Sequence, residues 1–256
     1  MDLLGALESA VRSSTEGRDV AVAFSGGLDS GTVAVLASRY ARSVRLYTVG
    51  TEDSYDVRAS REMAAVLGIG WEHIVLDDAV LTDVIRDSVR ITGTRDPVTL
   101  SFEVPLSLIL SRVKERYVIG GQGADEMLCG YSKYLDLAED ELKAAVARDM
   151  ATLESVTLPH ERALADHYGK EVLHPFLSGA VKEAVAGLSY DDLRPVGDDR
   201  KRPLRAAAEK LGHPEIASKP KKAAQYGSGS MNMMKRLSKS KGMSLSEWID
   251  SLSEGS

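Results

Sequence analysis

The sequence predicts an α/β fold, with a central parallel sheet followed by a helical carboxyl-terminal region. Three observations carry this expectation. Short β-rich runs alternate with helical segments through the first half of the chain. Two of these runs end directly in glycine-rich loops, at the strand ends where an open parallel sheet binds its ligands. After Tyr134 the strand signals fade, and charged or proline-punctuated helical segments take over. The alternation implies right-handed crossovers between parallel strands.

The opening MDLLGALESAVRSS has the apolar spacing of an amphipathic helix. Its acidic second residue, with no basic start before an apolar block, is unlike a signal peptide. Residues 19–24, DVAVAF, form the first strand, and residues 31–40 a helix. Residues 44–49 form the second strand, closed by Gly50. Residues 56–67 have helical spacing, with Gly68 just past the end as a C-cap. A third strand follows at 73–76. Residues 77–113 are mainly helical, with a break around Gly93 to Pro97. A fourth strand at 117–120 runs into GGQGADE. LAEDELKAAVARDMATLE is a charged helix, and Pro159, Pro175, Pro195, Pro203, Pro214 and Pro220 punctuate the rest. No internal repeat is present.

Composition narrows the function classes. A chain of 256 residues with 43% hydrophobic and 27% charged side chains suits one soluble α/β domain with a sizeable core. No apolar run approaches the roughly 18 residues of a membrane span. With no leader sequence either, the expected location is the cytoplasm. Cys129 stands alone, which excludes an internal disulfide and a cysteine-built zinc site. It is expected to be a small buried side chain. His160, His167 and His174 recur every seven residues, but Pro159 and Pro175 bracket them and Gly169 interrupts. Scattered histidines are therefore expected, not a metal site. The net charge of −6 is uneven: residues 200–241 carry twelve Lys or Arg against two Glu. Such a segment needs an anionic partner or a solvated face.

The chemistry concentrates in SGGLDS at 25–30, where the first strand ends. Gly26 and Gly27 let the backbone approach an anion closely, and the following helix start offers N–H groups. Ser25 and Ser30 add hydroxyl donors. Asp29 would repel phosphate, unless a divalent cation lies between them. Neither GxxxxGK[ST] nor GxGxxG is present.

The segment is similar to the PP-loop of N-type ATP pyrophosphatases, which break ATP between the α and β phosphates. Four further blocks resemble the asparagine synthetase family in its order: VGTEDSYDVRASREMAAVLGIGWEHI at 49–74, GGQGADEMLCGY at 120–131, KEVLHPFLS at 170–178 and KRPLRAAAEKLGHPEIASKPK at 201–221. The resemblance implies ATP and Mg²⁺ as cofactors. Ser25, Gly26, Gly27, Asp29 and Ser30 would cradle the phosphates, and Phe24, Val49, Gly120 and Gly121 would line the nucleotide pocket. Asp29 and Asp125 would hold Mg²⁺. Lys221 and Lys201 would stabilise charge during adenylation, with Gln122 and Glu126 also in the catalytic set. A nucleotide-binding core at 1–140 would continue into a helical part at 141–256 that is not independent. The expected reaction is adenylation of a small carboxylate, aspartate by family weight, followed by attack of ammonia or another amine.

The sequence departs from the family pattern in three places. Leu173 and His174 stand where the 170–178 block has Arg-x, and Ser178 stands where it ends in Asp. No glutaminase segment with its nucleophilic cysteine is expected before the first strand, so ammonia would come from solution or a separate glutaminase subunit, or be replaced by another amine. Gln122 stands where many asparagine synthetases have an acidic residue associated with aspartyl-adenylate, which puts aspartate in doubt. Two rivals remain at this stage. One is a PP-loop enzyme adenylating a tRNA base, weakly favoured by the basic segment although no RNA module is evident. The other is a non-catalytic nucleotide-binding partner subunit.

Overall fold

A computed structural model describes residues 1–219 and 227–253. Helix α1 (Leu3–Thr15) starts at Asp2, whose side chain accepts from the Gly5 N–H at 3.0 Å. Then follow β1 (Asp19–Ala23), α2 (Leu28–Tyr40), β2 (Ser43–Gly50), α3 (Tyr55–Leu67), β3 (Trp71–Val75), α4 (Asp78–Thr92), α5 (Pro97–Arg112) and β4 (Tyr117–Ile119). Short α6 (Ala124–Met127) leads to α7 (Glu139–Thr152), α8 (Leu158–His167) and β5 (Glu171–Leu173). The chain ends in helices: α9 (Gly179–Ala186), α10 (Tyr190–Leu193), α11 (Arg202–Lys210), α12 (Pro214–Ala217), α13 (Ser230–Ser240) and α14 (Leu245–Ser253).

All five strands are parallel, in the order β3-β2-β1-β4-β5. β1 is central and its middle residues are buried on both faces, which explains the uninterrupted apolar run. Val20, Val22, Leu46 and Ile119 join one core with α1, α2, α9 and α11. Ala21, Tyr47, Val49 and Val118 join a second core on the other face, with α4, α5, α13 and α14. Residues beyond 140 supply β5 and enter both cores, through Phe176, Val181 and Leu204 on one side and Met233, Met234 and Trp248 on the other. Among the described residues, no helix is long and apolar enough to cross a membrane.

The strand order reverses at β1 and β4, so their carboxyl ends open a crevice, the usual ligand position in such a sheet. One expectation is corrected. Helix α2 begins at Leu28, not 31, because Gly27 caps it; Asp29 therefore sits on the first helical turn, and Asp125 likewise on α6. As expected, no single helix spans the three evenly spaced histidines: His160 and His167 lie on α8, and His174 follows β5.

Candidate active site

Two loops meet in the crevice. In the first, Gly26 adopts a φ of 72°, and a Cβ there would stand 2.6 Å from the backbone of Ala59 on α3. Only glycine fits that close approach. Across the turn, the Ser25 N–H donates to Ser30 Oγ at 3.2 Å, and the two hydroxyls are also 3.2 Å apart. In the second loop, a Cβ on Gly121 would stand 2.7 Å from Asp29 Cβ, so glycine lets the loops touch. Gly123, with a φ of 87°, caps α6 and directs Asp125 back toward α2.

A cation joins the two loops. Lys201 Nζ donates to Asp29 Oδ2 at 2.6 Å and forms an ion pair with Asp125 Oδ1 at 2.8 Å. The lysine is 2% exposed, and its backbone is left-handed, with a φ of 56°. Burial works against the ammonium, but the Asp29 and Asp125 carboxylates outweigh it and hold its pKa above the ordinary lysine value. Gly130 makes room for the cluster, since a Cβ there would collide with Asp125 and Lys201. The space between the carboxylates therefore suits a cation. A carboxylate pair would also suit a divalent cation that takes its other ligands from outside the protein, since no group of three or more potential protein ligands exists among the described residues.

Two cavities open from this point. The first, about 230 Å³, is walled by Ser25 to Ser30, Asp125, Arg200, Lys201, Arg205 and Lys219. Arg205 fixes its rim by donating to the carbonyls of Arg200 at 2.9 Å, Lys219 at 3.0 Å and Ala217. The second, about 210 Å³, has Phe24, Thr48, Val49 and Gly120 on one wall and Phe102, Pro105 and Leu106 on another. Ser25, Asp56, Gly121 and Gln122 line both cavities.

Of the residues singled out from the sequence, Ser25, Gly26, Gly27, Asp29, Ser30, Asp125 and Lys201 line the first cavity. Phe24, Val49 and Gly120 line the second, and Gly121 and Gln122 sit at the junction. Glu126 is different. It lines neither cavity and is buried, accepting from the Tyr131 hydroxyl at 2.6 Å, and burial raises its pKa. The helical turn that aims Asp125 into the crevice turns its neighbour away. Lys221 lies outside the described residues. Cys129 is buried, and desolvation pushes its thiol up to about 11, which disfavours the nucleophilic thiolate.

Residues the motifs did not flag include Tyr55, Asp56, Arg200 and Lys219 in the first cavity and Glu161 and His174 in the second. Tyr55 and Asp56 open α3 inside a block already similar to the family, and that position was the available signal.

A strand-end glycine loop, a facing acidic loop and a switch-point parallel sheet define a PP-loop α/β protein. Comparison with known proteins narrows this class. The asparagine synthase family model matches residues 2–145 and 134–251, and the chain belongs to that family. It is 28% identical to asparagine synthetase [glutamine-hydrolyzing] 1 of Methanocaldococcus jannaschii, over 96% of this chain and 53% of that protein. It is 30% identical to carboxyethyl-arginine beta-lactam-synthase of Streptomyces clavuligerus, over 91% of this chain and 45% of that protein. The chain thus spans about half the length of these curated relatives. Among solved structures, NMN synthetase from Francisella tularensis aligns with a TM-score of 0.46 at 15% identity, over 99% of this chain and 84% of that one.

Proposed function

We propose that this chain is the synthetase part of an ATP-dependent, AMP- and pyrophosphate-forming amide ligase. It adenylates a small carboxylate for attack by ammonia or an amine. The observation that carries this reading is the bridge from Asp29 to Asp125 through a cation, beside the SGG loop at the sheet's switch point. In this reading the first cavity takes the triphosphate. The loop N–H groups and the hydroxyls of Ser25 and Ser30 bind its oxygens, and Arg200, Lys201 and Lys219 balance its charge. Phe24, Val49 and Gly120 take the nucleoside in the second cavity. Asp29 and Asp125 would hold Mg²⁺, which supplies charge neutralisation to the phosphates when bound. Gln122, at the junction, would sit beside the carboxylate to be activated; a neutral amide there donates and accepts hydrogen bonds but is no base.

Residues 1–140 and 141–256 act as one unit in this reading, since both contribute walls to each cavity. Aspartate is the carboxylate favoured by family membership, with Gln122 against it. An ATP–pyrophosphate exchange screen over candidate carboxylates tests the proposal. Exchange dependent on one carboxylate is expected, and no exchange with any small carboxylate would overturn it.

A further inference from the structure

The second cavity holds a feature that nucleotide binding leaves unused. Glu161 on α8 reaches its wall and is only 7% exposed. Its Oε2 atom has no hydrogen-bond partner. His174 Nε2 lies 3.2 Å away, outside hydrogen-bonding geometry, and His174 Nδ1 is likewise unpartnered. A buried polar atom left so destabilises the fold unless a ligand satisfies it. Among the described residues, no Arg or Lys lines this cavity. At the matching position of the 170–178 block, where the family pattern has Arg, this chain has Leu173.

We propose that Glu161 and His174 form the binding site for the nitrogen substrate, received as an ammonium or primary alkylammonium group. The inference rests on the amide-ligase reading. An ammonium brings three N–H donors and one positive charge, whereas the unpartnered atoms are a carboxylate oxygen and an imidazole nitrogen. A carboxylate ligand would instead meet an acidic floor with no fixed cation. The apolar wall of Phe102, Pro105 and Leu106 favours the methylene groups of an alkylamine.

The surroundings also suit removal of a proton. The groups near Glu161 are Glu103 from α5, Glu126 from α6 and His174 after β5, while Asp56 lines the same cavity. Glu103 is paired with His160 at 2.6 Å, and Glu126 accepts from Tyr131. Burial, then repulsion from Glu103 and Glu126, pushes the Glu161 pKa up to about 8. Burial pushes His174 down to about 4, so its imidazole is neutral near neutral pH. An arriving ammonium favours the ionised carboxylate and so displaces the proton that Glu161 carries. In turnover, an N–H bond of the ammonium breaks and its proton passes to Glu161 Oε2. The nitrogen keeps the electron pair and bonds to the acyl carbon. AMP leaves with the electrons of the broken C–O bond, and the surplus N–H proton goes to solvent.

Calorimetry on the full chain near neutral pH tests the site, with methylammonium and ammonium chloride as probes and sodium acetate as control. Runs in two buffers of different ionisation enthalpy count the protons. Methylammonium is expected to bind with release of a proton, and Glu161→Gln to weaken binding at least about tenfold and abolish the release. Glu161→Asp, which keeps the charge, should bind more weakly than wild type yet still release a proton; it decides the matter if the glutamine variant does not fold. No methylammonium binding, preference for acetate, or unchanged binding in both variants overturns the proposal. Pyrophosphate exchange separates the two readings. Exchange without amine binding at Glu161 removes only this inference, whereas amine binding without exchange removes the ligase reading.

Discussion

The two cavities share Gly121 and Gln122 yet are built by opposite means. The first cavity takes about half of its lining from residues 25–30 and 121–125, which follow β1 and β4, and Asp29, Asp125 and Lys201 within it are tied to one another. The second cavity gathers side chains from β1, β2, α5, α8 and the turn after β5, and leaves Glu161 Oε2 and His174 Nδ1 without hydrogen-bond partners. The difference separates two jobs. A polyphosphate is the same for every member of such a family and can be met by a fixed local device. In the proposed reading the nitrogen source enters the second cavity, among residues distant in sequence that can change one at a time.

The largest effect should fall on the phosphate side. Asp29→Asn and Asp125→Asn are each expected to lower pyrophosphate exchange by about two orders of magnitude or more, the scale of losing a fixed transition-state group. Methylammonium affinity, measured by calorimetry, should fall far less. Equal losses in both would mean the cavities are one site.

Next comes the buried cation. Lys201→Met leaves Asp29 and Asp125 without their shared ammonium, and breaking such a pair costs about 3–5 kcal/mol. Urea unfolding should show that loss, with part of it recovered by added Mg²⁺ as the replacement cation. A variant as stable as wild type without Mg²⁺ would remove the clamp from the account.

A smaller effect should appear as a pH dependence peculiar to the second cavity. Glu161 has a folded-state pKa of about 8, above its usual 4.5. Its contribution to stability is therefore complete below 4.5 and lost as pH rises through 8. His174 runs the other way. Depressed from 6.5 to about 4, it contributes fully above 6.5, and that contribution is lost as pH falls through 4. Urea unfolding of Glu161→Gln should lack the alkaline decline seen in wild type. An identical decline in both would show that Glu161 ionises freely.

The smallest effect is expected at the surface. Arg236 pairs with Asp78, but both are exposed, and exposed pairs contribute about 0–1 kcal/mol. Replacing Lys235, Arg236, Lys239 and Lys241 together with alanine should leave pyrophosphate exchange within about twofold. Tight, steeply salt-dependent tRNA binding lost in this variant would favour the RNA-modifying alternative instead.

Legibility in the sequence follows the same divide. The phosphate loop could be read because its glycines, serines and aspartate lie within six residues and follow a strand. β1 to β4 were visible as β-rich runs, but β5 has three residues with Glu171 exposed, too short for a periodic signal. The start of α2 is hidden in the sequence because the Gly27 cap leaves no side-chain signal. Lys201 could be assigned near the phosphates, but its place between two carboxylates depends on a contact spanning 172 residues. Glu161 looks like any solvated helix residue in HERALADH. Only packing against α5 and the turn after β5 buries it.

The most direct test of the central claim is the identity of the nucleotide products, resolved by anion-exchange chromatography with the activating carboxylate and an amine present. AMP and pyrophosphate, formed in step with the amide, are the predicted products. ADP and inorganic phosphate as the main products would contradict the claim, because the bond broken would then lie beyond the β phosphate.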